Sequence, residues 1–129
     1  MTEPRKWLEF AKEDLAMARM ALKEGISNQA CFHAQQGVEK ALKGFLRSRQ
    51  RSIPKTHGLE ELLKFCKEID PGFRKLRECC VLLDQYYIPT RYPDALPGSS
   101  SKGLPTPRDA EKAVKLLQHT LSWIRRKLK

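Results

Sequence analysis

Side chains that can hold a phosphate group recur along one face of the segment spanning residues 30–47. Wound as an α-helix, this segment places apolar residues on one arc and hydrogen-bond donors on the opposite side. The donors are His33, Gln36, Lys40, Lys43 and Arg47. Lysine and arginine supply positive charge, while the histidine ring and the glutamine amide supply oriented N–H groups. The pattern predicts a helix that packs on one face and binds a phosphate-bearing ligand on the other.

Arg91 and Tyr92 form a second candidate, within a segment rich in proline, glycine and serine that covers residues 88–106. The prolines exclude a regular helix there, and connections of this length in compact bundles are often functional. Arginine can hold a phosphate through two parallel hydrogen bonds, and tyrosine can stack on a base. We therefore expect Arg91 and Lys40 to hold phosphate and Tyr92 to contact a base.

Asp14 interrupts the apolar stripe of the helix that precedes this segment. An unpaired carboxylate in such a position would be costly, so Asp14 needs a donor from another element. One interpretation is a structural hydrogen bond or ion pair, to Gln35 or to a lysine. The other is a supporting carboxylate that orients a ligand-binding base.

Other chemistry has little support in the sequence. It contains no glycine-rich phosphate loop, paired metal motif, HExxH or Ser-His-Asp arrangement, so neither a metal nor a cofactor is expected. His33, His57 and His119 are interpreted as structural or solvated histidines, and Glu39 and Glu78 as ordinary surface residues. The four cysteines fit no metal-ligand spacing and are expected to be buried thiols: Cys31, Cys66, Cys79 and Cys80.

The charge balance favours phosphate-bearing partners. Twenty-five basic residues against 15 acidic ones give a formal net charge of +10, although many small basic proteins are merely soluble or thermostable. A length of 129 residues with 40% hydrophobic content suits one domain covering residues 1–129. The sequence shows neither a membrane-spanning run nor a signal peptide, which predicts a cytoplasmic protein with no membrane partner.

Apolar periodicity and end signals predict an all-α chain with no strand. Gly25 is expected to end the first helix in the left-handed conformation, and Ser27 or Asn28 to cap the second. Thr106, Pro107 and Asp109 form a start signal for the last helix. The predicted helices cover residues 2–24, 27–50, 59–69, 73–87 and 107–128.

Two further features of the helices suggest close contacts. Gly37 and Gly44 lie two turns apart in the second helix, where glycine costs about 1 kcal/mol relative to alanine. They indicate either close helix packing, the favoured interpretation, or a ligand contact. Leu116 and Trp123 lie off the core stripe of the last helix, and they predict a small second apolar patch that could serve as a partner or self-association interface.

Four stretches in this order resemble the HEPN domain family, named for higher eukaryotes and prokaryotes and for nucleotide binding. They read AKEDLAMARMALKEG, ACFHAQQGVEKALKGFL, KTHGLEELL and IPTRYPDA, and they extend over nearly the whole chain. The most specific pieces are FHAQQGVEKALK and TRYPDA. The resemblance implies an antiparallel up-down bundle of four to five helices that is usually a homodimer.

The resemblance also implies one of two activities. Many HEPN proteins are metal-independent RNases that use an arginine followed after four to six residues by a histidine. Others are non-catalytic nucleotide or RNA binders, often encoded beside a minimal nucleotidyltransferase as a toxin-antitoxin-like pair. Arg91 could match the motif arginine, but Leu96 occupies the position five residues on, and no histidine follows in that segment. Arg51 and His57 have the spacing but lie in a connector, so we interpret that match as accidental.

Without the motif histidine, binding is favoured over cleavage, because arginine cannot act as a base. The leading interpretation is a HEPN-like module that binds a nucleotide or an RNA phosphate and acts with a nucleotidyltransferase partner. Its site would comprise His33, Gln36, Lys40, Lys43, Arg91 and Tyr92, supported by Asp14. One alternative is a degenerate RNase in which His33 or Tyr92 replaces the missing histidine. The other is a pure interaction protein that neutralises a nucleotidyltransferase through Leu116 and Trp123 or through the segment of residues 88–106.

Overall fold

The protein is an all-helical bundle, as the sequence predicts. The computed structural model describes residues 3–87 and 104–128, and within these ranges it contains no strand. The segment with Arg91 and Tyr92 lies outside the described residues. The elements are α1 (Glu3–Lys23), α2 (Ser27–Ser48), α3 (Leu59–Ile69), a 3-10 segment (Pro71–Leu76), α4 (Arg77–Asp84) and α5 (Pro107–Lys127).

Helix α2 is the central element, packed against α1, α3, α4 and α5. The short turn between α1 and α2 makes these two helices antiparallel neighbours. Gly25 lies in that turn with φ +77°, which confirms the left-handed residue that was predicted to end the first helix. The predicted cap of α2 is wrong: Ile26 occupies the cap position without a side-chain cap, and Ser27 already belongs to the helix.

The last helix begins as its sequence predicts. The Asp109 backbone N–H donates to Thr106 Oγ1 at 3.1 Å, and the Thr106 N–H donates to Asp109 Oδ2 at 2.9 Å. Two backbone donors at the helix start are thus satisfied reciprocally by side chains. Pro107 occupies the first helical position, where its missing N–H costs nothing.

The predicted fourth helix over residues 73–87 is divided in the structure. Pro71 opens a tight 3-10 segment, and the Gly72 N–H donates to Asp70 Oδ1 at 2.9 Å, so regular α-helix begins only at Arg77. Asp84, at the end of α4, accepts from the backbone N–H groups of Leu59 at 2.7 Å and of Glu60 at 3.1 Å. Its carboxylate therefore caps α3, whose own preceding residue, Gly58, has no side chain to do so.

The two helical glycines mark close packing and not a ligand contact. A Cβ added to Gly37 would lie 2.7 Å from both terminal carbons of Leu117 on α5. A Cβ added to Gly44 would lie 3.0 Å from the Trp7 Cβ and 3.3 Å from the Pro4 carbonyl oxygen, both on α1. Each glycine lets a neighbouring helix approach α2 more closely than an alanine would.

The cysteines are structural, as predicted. All four are free and buried inside the bundle. Burial raises the pKa of Cys31 and of Cys66 to about 12, so these thiols stay protonated and unreactive at neutral pH. In residues 3–87 and 104–128, no group of histidine, cysteine and carboxylate side chains could hold a metal ion.

Trp123 is not the exposed side chain that its helical position indicates. It is half-buried, and its ring contacts the Phe73 ring edge-on at a centroid distance of 4.8 Å. The ammonium groups of Lys75 and Lys127 lie 4.8 Å and 4.9 Å from the ring centroid. Leu116 is also half-buried against the core. The 3-10 segment thus covers part of the expected patch, while the interface role of these two residues stays a prediction.

Asp70 ties the 3-10 segment to the end of α5. Its carboxylate accepts from Lys127 Nζ at 2.9 Å and from the Gly72 N–H, and these two hydrogen bonds hold the pKa of Asp70 below its usual value. The ionised Asp70 carboxylate therefore stabilises the folded state at pH values above its unfolded-state pKa of about 3.9. This stabilisation is lost as the pH falls through the lower folded-state pKa.

We expect Asp70→Asn to lower the thermal midpoint at pH 7, because asparagine keeps the acceptor for Gly72 but loses the charge that attracts Lys127. The difference from the unmodified protein should shrink as the pH falls below about 4. Thermal unfolding between pH 7 and pH 2 measures it, with the exposed Glu78→Gln as the control. A difference that is constant across this range would contradict the assignment.

Across residues 3–87 and 104–128, the structure contains no helix that is both long and apolar enough to span a bilayer.

Candidate phosphate-binding site

The predicted donor face of α2 lies along the edge where α1 meets α2. His33, Gln36 and Lys40 are half-buried there, and Lys43 is buried. The four donors are spaced three or four residues apart, so they follow one another along the helix axis. The structure therefore brings together the α2 members of the predicted site.

Asp14 of α1 holds two of these donors. The Asp14 side chain is 8% exposed; Oδ1 lies 2.9 Å from His33 Nδ1, and Oδ2 lies 2.6 Å from Lys40 Nζ. Of the two proposed structural partners, the lysine is the one that the structure shows. The same carboxylate also positions a histidine, which is the geometry expected for a carboxylate that orients a base.

The contacts with Asp14 leave capacity for a ligand on both donors. Asp14 engages Nδ1 of the His33 ring and leaves Nε2 unused, and this nitrogen can donate to a phosphate when both ring nitrogens carry a hydrogen. Lys40 has three N–H bonds, of which Asp14 takes one, and its side chain is 28% exposed. Both donors are thus fixed in position before any ligand arrives, which lowers the entropy lost on binding.

Glu39 is one of the residues of this site that the sequence pattern was not taken to indicate. It was interpreted as a surface residue, but it is 4% exposed. Its Oε2 atom accepts from Lys43 Nζ at 2.8 Å and lies 3.2 Å from His57 Nδ1. A usable signal was present: residues 35, 39, 42 and 46 follow helical spacing next to the apolar arc, and the last two are leucines.

Two glutamines connect α2 to the segment that precedes α3. Gln36 Nε2 donates to Gln35 Oε1 at 2.8 Å and approaches Glu39 Oε1 at 3.5 Å. Gln35, which is fully buried, donates from Nε2 to the His57 carbonyl oxygen at 3.0 Å. These bonds anchor His57 beside the donor face, so the connector contributes to the site although its sequence shows no helical pattern.

The predicted basic face is electrically balanced and is not a bare cationic surface. Lys40 is paired with Asp14, and Lys43 is paired with Glu39. Arg47 also has an acidic partner, Glu3, at 3.0 Å. Charge alone therefore does not make this face an anion site, and further positive charge has to come from elsewhere.

Arg91 and Tyr92 were predicted to supply that further contact. They lie outside the described residues, so their part in the site stays a prediction. In the sequence they follow Tyr87 by four and five residues. Tyr87 itself belongs to the site, because its ring stacks on His57 with centroids 5.2 Å apart.

The arrangement can hold a phosphate group and can move a proton. Lysine and glutamine N–H groups are suitable donors to phosphate oxygens. His33 Nε2 can accept a proton in its neutral form and donate one in its charged form, which is the function that the segment 88–106 lacks. Cleavage of RNA through His33 stays an alternative prediction, and persistence of RNA incubated with the protein in EDTA would contradict it.

Comparisons with known proteins agree with this architecture. The family model of the HEPN domain matches residues 4–127. The crystal structure of TT1696 from Thermus thermophilus is similar, with 39% sequence identity and a TM-score of 0.86 over 98% of this chain and 99% of that one. A search of curated proteins finds no match.

A second solved structure, that of ST0689, described as an archaeal HEPN homologue, is also similar. It shares 32% sequence identity, has a TM-score of 0.78, and matches over the full length of both chains. The all-helical fold, the match of the family model to almost the whole sequence and these two relatives agree with one another. The chain therefore belongs to the HEPN domain family.

Proposed function

We propose that this protein binds the phosphate groups of a nucleotide or of RNA. The site comprises His33, Gln36 and Lys40 of α2 together with Arg91 and Tyr92, while Lys43, the fourth donor predicted on α2, is buried in its ion pair with Glu39. The observation that carries the proposal is the hold of Asp14 on both His33 and Lys40, at 2.9 Å and 2.6 Å. A carboxylate with two donors that are still partly exposed is what an oriented phosphate site requires.

The charge of the whole molecule supports the same proposal. Because Asp14 and Glu39 balance Lys40 and Lys43, the excess of positive charge that attracts an anion comes from other residues. The formal net charge is +10, and Arg91 is the cation assigned to the site. The α2 donors then orient the phosphate, while Arg91 and the overall field supply the attraction.

The biological setting is part of the proposal. The protein acts as a homodimer and together with a minimal nucleotidyltransferase partner, in a toxin-antitoxin-like pair. The support for this setting is membership of the HEPN family, to which the resemblance in the sequence first pointed. Purification of the protein with the product of a neighbouring nucleotidyltransferase gene tests it, and failure of the two proteins to associate would contradict it.

Thermal unfolding tests the proposed binding. We expect a short single-stranded RNA, ATP or GTP to raise the thermal midpoint, since a ligand at 100 times its Kd adds about 2.7 kcal/mol of stability. Arg91→Ala should abolish most of the shift. The control is Lys112→Ala on the exposed face of α5, which removes the same charge away from the site.

The two variants separate site binding from general electrostatics. If Lys112→Ala reduced the shift as much as Arg91→Ala, binding would be non-specific and the proposed site would be wrong. If none of the three ligands raised the midpoint of the unmodified protein, the binding proposal itself would be contradicted.

A further inference from the structure

Four rings form a continuous row beside the donor face. His33 contacts Phe32 at a centroid distance of 5.4 Å, Phe32 contacts Tyr87 at 6.4 Å, and Tyr87 contacts His57 at 5.2 Å. They come from α2, from the residues after α4 and from the connector before α3. Rings beside phosphate donors offer flat surfaces on which a base can stack.

His57 is the exposed end of this row. Its ring lies nearly parallel to the Tyr87 ring, at an interplanar angle of 10°, and its side chain is 58% exposed. Tyr87 lies against one face of the ring and Glu39 lies against Nδ1, so the side chain is accessible from its other sides. The row therefore ends in a flat surface open to solvent.

The orientation of this open ring is fixed. Glu39 lies 3.2 Å from His57 Nδ1, and the buried Gln35 donates to the His57 carbonyl oxygen at 3.0 Å. Stacking on a ring that is already held costs less conformational entropy than stacking on a freely rotating side chain. These features are those of a platform for a planar ligand group.

The phosphate donors next to the platform form an extended row. His33 and Lys40 are the partly exposed charged or chargeable donors of this row, and the helix rises about 10 Å between them, at about 1.5 Å per residue. Lys43, further along, is buried in its ion pair with Glu39. Grooves that combine donors along a backbone with rings for bases are typical of single-strand binding.

We propose that the outer face of His57 stacks on an unpaired nucleobase of the ligand whose phosphate the α2 donors hold. This inference rests on the proposed phosphate binding and adds a base contact to it. In duplex RNA the base faces are already stacked on one another, so the His57 ring requires an unpaired base.

The test compares three probes on the full-length protein by equilibrium titration. They are an eight-nucleotide oligoadenylate, a duplex of the same length and inorganic tripolyphosphate, which has no base. We expect the oligoadenylate to bind at least about tenfold more tightly than either of the others. In His57→Ala the preference of oligoadenylate over tripolyphosphate should fall about tenfold, as expected for the loss of one stacked base.

Two matched variants show whether the ring or its charge is responsible. His57→Phe retains a flat ring and should keep most of the preference, while His119→Ala, on the exposed side of α5, should leave it unchanged. Equal binding of duplex and single strand, or equal losses for oligoadenylate and tripolyphosphate in His57→Ala, would overturn the inference while leaving phosphate binding intact. Absence of binding by all three probes would overturn the proposed function as well.

Discussion

Replacing Glu39 with alanine will lower the free energy of unfolding by about 3–5 kcal/mol, because it leaves the ammonium group of Lys43 buried without its carboxylate partner. The Lys43 side chain is 9% exposed and the Glu39 side chain 6%. The loss corresponds to a fall in the thermal midpoint of at least about 10 °C for a domain of this size. Chemical denaturation of the two proteins measures it.

A double variant and an exposed pair provide the controls for Glu39. Glu39→Leu combined with Lys43→Met removes both charges, and we expect it to cost less than Glu39→Ala alone. Glu111→Ala breaks a pair with Lys115 whose side chains are 63% and 69% exposed, and should cost less than about 1 kcal/mol. If Glu39→Ala cost no more than Glu111→Ala, Glu39 would not be a buried structural partner.

Gly37→Val is the second substitution expected to have a large effect, with a loss of about 3 kcal/mol. The gain in helix propensity over glycine is below about 1 kcal/mol. It is outweighed because the new Cβ would lie 2.7 Å from both terminal carbons of Leu117, which is fully buried and has little room to move. Urea-induced unfolding measures the difference.

A double-mutant cycle attributes that loss to the contact with Leu117. Leu117→Ala alone creates a cavity, and Gly37→Val partly fills it, so the double variant should cost less than the sum of the two single variants. Ala16→Val, at an exposed position of α1, shows the cost of a β-branched residue in a helix without a clash. Additive costs in the cycle would contradict the close approach of α2 and α5.

The helices were predictable because their signals are local. Apolar spacing, the left-handed Gly25 and the Thr106–Asp109 box depend on residues within a few positions of one another. The 3-10 segment after Asp70 and its cover over Trp123 were not predictable in this way. They depend on which distant side chains meet, and helical spacing gives the direction of a residue but not what lies opposite it.

The candidate site shows the same division between local and distant information. The sequence indicated that Asp14 needs a donor from another element, and the structure supplies Lys40 and His33. It also placed the donors of α2 on one face. Helical spacing beside the apolar arc was a signal for the burial of Glu39, but it did not show which groups meet its carboxylate, namely Lys43 Nζ and the His57 ring. The net charge did not indicate that the lysines of this face are paired with carboxylates.

The most direct test of phosphate binding at this site is an equilibrium titration of labelled single-stranded RNA at several salt concentrations. We expect the logarithm of the RNA-binding constant to fall linearly with the logarithm of the salt concentration, with a slope of about −0.7 per phosphate contact. Lys40→Met should weaken binding several-fold and make the slope shallower, while Lys112→Met, an exposed lysine on α5, should change neither. Equal effects of the two substitutions, or no RNA binding even at low salt, would contradict phosphate binding at this site.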